Sequence, residues 1–233
     1  LTLADIVEEK EEYFEVGSLA TIMVQNVNGD LTIQPGRDGE IKVLAKVIAE
    51  DQATRDRIMV LMEQESDVVS IKTEYKKNNG FNRSGSSEVK YTIWVPEGVS
   101  VVNTKLVNGD LDISAPVSKL SAKLVNGDIK SKSISNEVKL STVNGNMTLT
   151  LAESSSSDSI ALKTVNGAIE VALPSDADYA ISAETTHGRI KNDFGLAVTK
   201  GRYVGSYLKG NLGNGTGTAN ISSVNGSIKI RQM

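Results

Sequence analysis

The sequence predicts an all-β protein with one helix, organised as a parallel β-solenoid with coils of about 18–22 residues. Three observations carry that prediction. Val-Asn-Gly occurs six times, at 27–29, 107–109, 125–127, 143–145, 165–167 and 224–226. From 107 onward the first spacings are 18, 18 and 22 residues; a degenerate copy, Thr186-His187-Gly188, follows 21 later, and the last copy 38 beyond that. Each copy is also flanked by residues that alternate apolar and polar, the signature of a strand with one buried face.

Taken in order, Leu1–Glu15 is rich in Glu and Lys and reads as a solvated or weakly structured lead-in (1–15), leaving 16–233 as one solenoid domain. Leu19–Val24, the first Val-Asn-Gly and Leu31–Ile33 form an outlying repeat unit. Ile41–Ile48 is a strand. Asp51 reads as the N-cap of a helix running to about Gln64, with Ile58, Leu61 and Met62 at helical spacing. Asp67–Tyr75 returns to strand. Residues 41–75 thus read as a strand–helix–strand cap over one end of the stack, whose edges would otherwise be open. Lys76–Glu88, with Asn78-Asn79-Gly80 and Ser84-Gly85-Ser86-Ser87, is a polar loop, and Tyr91–Pro96 is a strand closed by proline.

Residues 97–233 are the regular array. Leu120/Ala122/Leu124, Val138/Leu140/Thr142 and Ile160/Leu162/Thr164 precede their corners; Leu111/Ile113, Met147/Leu149/Leu151, Ile169/Val171/Leu173 and Ile228/Ile230 follow theirs. Glu153–Ser159 is a polar insertion that lengthens one repeat. Asn-Gly itself fits two architectures. It makes the type I′ turn of a hairpin, which would pair Leu124 with Ile129, or the corner of a stacked coil. The near-constant period favours the coil. Asn28, Gly29, Asn108, Gly109, Asn126, Gly127, Asn144, Gly145, Asn166, Gly167, His187, Gly188, Asn225 and Gly226 are then corner residues. Asn and Gly tolerate φ > 0 there, and the asparagines are placed to form an amide ladder.

Composition excludes more than it proposes. There is no cysteine, hence no disulfide, thiolate zinc site or cysteine nucleophile. A single histidine, His187, removes multi-histidine metal sites. The net charge of −4 does not indicate a polyanion-binding protein by balance. No apolar stretch approaches the roughly 20 residues of a membrane helix, and no signal-peptide core opens the sequence. One tryptophan, six tyrosines and three phenylalanines leave few stacking platforms for sugars or bases.

The order of an early Val-Asn-Gly-Asp, the strand–helix–strand, Tyr91-Thr92-Ile93-Trp94-Val95-Pro96, serial Val-Asn-Gly corners, Ala172-Leu173-Pro174 and a closing Asn220–Ile230 segment resembles the bacterial β-strand-repeat family named "putative adhesin", and more distantly the head domains of autotransporter adhesins. The resemblance runs from about Phe14 to Arg231. It implies a right-handed, single-stranded β-helix on exported or envelope-associated bacterial proteins, and it carries no catalytic residues.

Asp30, Asp110 and Asp128 each follow an Asn-Gly, and in a stack Asp110 and Asp128 would lie about 4.8 Å apart. They are weak candidates for a calcium site. The acidic column ends there, since the next copies carry Asn146, Ala168, Arg189 and Ser227. Asp158, Asp176, Asp178 and Asp193, near Arg189 and Arg202, are the residues a polysaccharide-acting β-helix enzyme would have to use, but no pair has a distinguishing spacing. Gly213-Asn214-Gly215-Thr216-Gly217 lacks the Lys-Ser/Thr and the helix of a phosphate loop and reads as a tight turn between strands Arg202–Leu208 and Ala219–Ser223. Lys72, Lys76, Lys77, Arg83 and Lys90 make a modestly basic region without aromatic interleaving, so nucleic acid is not an expected partner. The expectation is therefore a non-catalytic, cofactor-free binding module of the envelope or extracellular space, with a glycan, a protein or another copy of itself as partner. A structural spacer is the alternative, and a polysaccharide enzyme the next.

Overall fold

The computed structural model describes residues 5–76, 85–152, 159–201 and 204–233. Alternation of apolar and polar side chains shapes the chain almost throughout. Twenty strands follow among the described residues: β1 (Ile6–Glu15), β2 (Thr21–Asn28), β3 (Leu31–Pro35), β4 (Glu40–Ala49), β5 (Ile58–Glu65), β6 (Val68–Tyr75), β7 (Ser87–Val95), β8 (Val99–Asn108), β9 (Leu111–Ile113), β10 (Val117–Asn126), β11 (Ile129–Asn144), β12 (Met147–Leu151), β13 (Ser159–Asn166), β14 (Ile169–Leu173), β15 (Tyr179–His187), β16 (Ile190–Asn192), β17 (Val198–Lys200), β18 (Ser206–Leu212), β19 (Gly217–Asn225) and β20 (Ile228–Gln232). One helical turn, α1 (Gln52–Arg55), lies between β4 and β5.

The strands lie in two rows. Neighbours in the first are β5, β6, β2, β8, β10, β11, β13, β19, β15, β18 and β17. Those in the second are β1, β4, β7, β3, β9, β11, β12, β14, β20 and β16. β11 belongs to both. Its first residues pair with β9 and β12, its last with β10 and β13, and it turns between rows at Ser133, whose φ of 60° is left-handed. Each Val-Asn-Gly carries the chain from the first row to the second, so the strands flanking it are not hairpin partners.

This arrangement overturns the predicted β-solenoid with its strand–helix–strand cap. All twenty strands form one mixed, mostly parallel sheet that curls into a nearly closed, barrel-like form with one seam. Two features break the coil-upon-coil order. β2 is flanked by β6 and β8, and β19 lies between β13 and β15, so the corner at Asn225 adjoins Asn166 while His187 lies beyond it. Antiparallel ladders also build both ends of the first row and one end of the second, with β5 on β6, β15 on β18, β17 on β18, and β4 between β1 and β7.

Two further expectations are corrected. The predicted helix from Asp51 stops after one turn: Asp51 does cap it, its carboxylate accepting the Thr54 N–H at 2.7 Å, but residues 58–65 are strand β5. Ile58, Leu61 and Met62 fit a helix, yet Ile58, Val60 and Met62 fit a strand equally well. Register with β6, from Ile58 opposite Tyr75 to Glu65 opposite Val68, decides between them. The lead-in is likewise ordered from Ile6 as edge strand β1, its glutamates tied across to Lys42 (2.9 Å), Lys46 (3.6 Å) and Arg55 (2.6 Å). A charged edge of this kind resists pairing with another chain.

The interior between the rows is one continuous apolar cluster from Phe14 to Ile230. Most of its side chains are aliphatic and buried, each Val, Leu or Ile stabilising the fold by about 1.5–3 kcal/mol relative to exposure. Phe14, Tyr179 and Tyr91 are its aromatic members, the most deeply buried being Tyr91. Its hydroxyl shares a 2.7 Å hydrogen bond with Thr73 Oγ1, and burial pushes its pKa up to about 12.

Candidate functional site

Two sets of side chains run across the parallel strands of the first row, and they differ in kind. At the corners, Asn28, Asn108, Asn126, Asn144, Asn166 and Asn225 stand in register. Each amide donates from Nδ2 to Oδ1 of the previous one: Asn108 to Asn28 at 2.8 Å, Asn126 to Asn108 at 2.8 Å, Asn144 to Asn126 at 2.7 Å, Asn166 to Asn144 at 2.8 Å, and Asn225 to Asn166 at 2.7 Å. His187 continues the column beside Asn225. None of these asparagines, nor His187, has φ > 0; the strain-tolerant role expected of them falls to the glycines alone. At Gly127 φ is 155°, and a Cβ would lie 2.0 Å from the carbonyl oxygen of Gly109. Gly226 has no such φ, yet its Cβ would sit 1.8 Å from Gly167 O, so close backbone approach alone requires glycine there.

The aspartates after the corners are occupied in the same way. Asp30 Oδ1 accepts the Asp110 N–H at 3.0 Å, Asp110 Oδ1 that of Asp128 at 2.8 Å, and Asp128 Oδ1 that of Asn146 at 2.7 Å. Asp110 and Asp128, the weak calcium candidates, therefore bind backbone. Among the described residues no group of three or more His, Asp or Glu is arranged to hold a metal ion. Buried hydroxyls finish the corners from inside: Thr142, Thr164, Ser223 and Thr185 donate to Gly127 O, Gly145 O, Gly167 O and Gly226 O at 2.7–3.3 Å.

The residues considered for an enzyme are scattered. Asp178 holds the turn between β18 and β19, accepting from Thr216 N (3.1 Å) and Thr216 Oγ1 (2.7 Å), and those bonds keep its carboxyl below the usual range. Asp193 accepts from Gln232 N at 3.4 Å. Asp158 and Arg202 lie outside the described residues, as do Lys77, Arg83 and most of the polar insertion. Lys72 and Lys90, from the expected basic region, pair with Glu74 (2.5 Å) and Glu88 (3.3 Å).

The second set faces outward, and here the first row is concave. A groove of about 450 Å³ crosses β10, β11, β13, β19, β15 and β18, and a second of about 440 Å³ adjoins it, sharing Lys163, Glu184 and Ser222. Register builds it from two columns. One reads Lys105, Lys123, Ser141, Lys163, Ser222, Glu184, Tyr207; the other Ser121, Lys139, Ala161, Asn220, Ser182, Lys209. The short side chains form the floor, and Lys123, Lys139, Lys163 and Lys209 rise around it. Those four are exposed and take part in no ion pair among the described residues. Exposed Val204, Tyr207 and Val224 line the adjoining cavity.

The groove lysines were not singled out from the sequence, although a signal is present: Lys105, Lys123 and Lys163 each stand three residues before a corner Asn, while Ser141 and Ser222 take that place in two other copies. At the other end of the molecule, exposed Tyr13 and half-buried Trp94 flank Lys42, whose Nζ lies 5.3 and 5.0 Å from the ring centroids. Hydrogen bonds from Tyr13 and then Lys42 hold the Glu11 carboxyl below its ordinary value, while hydrogen bonding to Glu11 and then Tyr13 raises Lys42. These rings are filled by their own chain.

No family model matches the sequence, and no curated protein matches it. Among solved structures, the chain is similar to a "putative cell adhesion protein" from Clostridium sporogenes, with 16% identity, a TM-score of 0.55, and 97% of this chain and 100% of the other covered. It is also similar to a "putative adhesin" from Bacteroides fragilis, with 10% identity, a TM-score of 0.34, and 96% and 97% covered. At these identities the first likeness is one of fold alone.

Proposed function

We propose that this chain is a non-catalytic binding module, exported to the bacterial envelope or beyond, that presents the groove of its first row to a surface ligand, a glycan or a protein. The observation that carries the reading is the groove itself: lysines with no ion pair among the described residues stand around a floor of short side chains, Ser141, Ala161, Ser182, Ser222 and Asn220, on adjoining strands. The fold shared with the Clostridium sporogenes protein, named for cell adhesion, supports the same direction. Export and surface binding are tested together. Antibody to the chain should label intact cells of the source bacterium, and the purified protein should bind a subset of an array of glycans and envelope proteins. Absence from the surface together with a blank array would reject the module reading in favour of a structural spacer.

A further inference from the structure

We infer that the groove takes an extended acidic glycan, a polymer of sugars bearing carboxylates, laid along the stack so that its charges meet Lys123, Lys139 and Lys163; this rests on the binding-module reading and names the ligand of that same site. Geometry comes first. Lys123 and Lys163 share a column with Ser141 between them, so their backbones are two strand spacings apart, about 9.6 Å. Lys139 stands in the neighbouring column on the strand between them. Cations on both sides of a track two columns wide match a linear polyanion with charges on alternating sides. A compact anion would use only one of them.

The floor selects the polymer. Ser141, Ser182, Ser222 and Asn220 offer hydroxyls and an amide to a hydroxyl-rich chain, and none of them has a partner that would have to be displaced among the described side-chain hydrogen bonds. A single-stranded nucleic acid requires aromatic faces for successive bases, and Tyr207 at the far end is the one aromatic in the described lining. A protein partner requires an aromatic or aliphatic anchor pocket, whereas Leu140, Leu162 and Ile221 of this lining are buried in the core and leave no exposed aliphatic anchor in the groove. The described lining offers its positive charge as lysine ammonium groups, point charges suited to anionic groups spaced along a chain. Glu184 is the acid of the groove. It lies past Ser222 next to Tyr207 and ends the column that holds Lys123 and Lys163, with Lys209 in the neighbouring column on β18.

The test uses the full chain and fluorescently labelled oligogalacturonate, with neutral dextran and oligodeoxythymidylate as comparison polymers. The double variant Lys123→Ser/Lys163→Ser should lose at least tenfold in affinity for oligogalacturonate with an unchanged melting temperature. Lys130→Ser/Lys191→Ser, which removes the same charge from exposed lysines of the second row, should lose less than twofold. Wild-type binding should weaken steeply from 0.05 to 0.5 M salt, and dextran should not compete. Equal losses in the two double variants, no binding of oligogalacturonate, or tighter binding of oligodeoxythymidylate would each overturn the assignment. Capture of a neutral glycan or protein on the array without oligogalacturonate binding overturns this inference and leaves the module reading standing; a blank array with no surface labelling removes both.

Discussion

The corner column and the groove columns cross the same parallel strands, only a few residues apart, yet one is nearly uniform and the other is not. From β2 to β15 the corners read Asn, Asn, Asn, Asn, Asn, Asn, His, whereas the groove column three residues earlier reads Gln25, Lys105, Lys123, Ser141, Lys163, Ser222, Glu184. The difference follows from what each side chain bonds to. A corner amide donates to the strand before it and accepts from the strand after it, so its neighbours on both sides dictate its identity. A groove lysine bonds to no neighbouring strand among the described residues, so nothing in the fold requires the next strand to repeat it. Repetition within the sequence therefore records strand-to-strand bonding, and the surface left to a ligand is the part that departs from the repeat.

The sharpest way to break this comparison is at the corner backbone. Gly127→Ala places a methyl group 2.0 Å from Gly109 O at a φ of 155°, and a backbone carbonyl held in a parallel ladder has nowhere to move. A loss of roughly 3 kcal/mol or more, or failure to fold, is expected from urea unfolding. Gly226→Ala, with a 1.8 Å approach and no unusual φ, should be of similar severity. A mild effect at Gly226 with a severe one at Gly127 would assign the requirement to conformation and not to contact.

Next in size is the amide ladder. Asn126 donates to Asn108 and accepts from Asn144, so Asn126→Ala removes two bonds and leaves one donor and one acceptor without a protein partner. Because the column is exposed and water replaces part of the loss, about 1–2 kcal/mol is expected, read as a lowered denaturation midpoint with unchanged slope. Asn225→Ala, at the Asn end of the ladder, donates to Asn166 and should cost about half as much.

The same comparison explains what the sequence disclosed. Strands beside the corners were legible because Leu120/Ala122/Leu124 and their counterparts alternate cleanly, and the stacking of 108, 126, 144 and 166 follows from their spacing. The sheet's path was not. Nothing local to Asn225 announces that it pairs with Asn166 ahead of His187, since long-range pairing leaves no mark at either end. β1 was hidden because an edge strand buries little: of its ten residues Phe14 alone is buried, while the glutamates that look like a solvated tail serve as cross-strand partners. Segment 58–65 satisfied two periods at once. The groove was half visible, in Lys three residues before Asn in three copies, but concavity and the second column come from register.

Asp128 tests an intermediate case. Its Oδ1 accepts the Asn146 N–H at 2.7 Å and lies 3.3 Å from Asn146 Nδ2, yet the residue is not repeated beyond this strand: Asn146 takes its place and serves Ala168 N at 2.9 Å. Either side chain supplies the needed oxygen. Asp128→Asn should therefore be neutral within about 0.5 kcal/mol, and Asp128→Ala should lose about 1 kcal/mol. Equal losses would mean that charge, and not the acceptor, matters at this position.

The smallest expected effect is the most informative about the groove. Lys163 is exposed, forms no ion pair among the described residues, and shares its column with Ser141 and Ser222, so Lys163→Ser places on β13 the side chain its neighbours already carry. Surface substitutions away from caps, cavities and paired charges stay within about 0.5 kcal/mol, and removing one cation from a basic track relieves repulsion. Stability should be unchanged or slightly raised, more so at low salt, where the remaining lysines repel one another over a longer range. A loss of more than about 1 kcal/mol would mean that the lysine is held by the strands around it. The groove would then belong to the same bonded framework as the corners, and its departure from the repeat would need another explanation than a ligand.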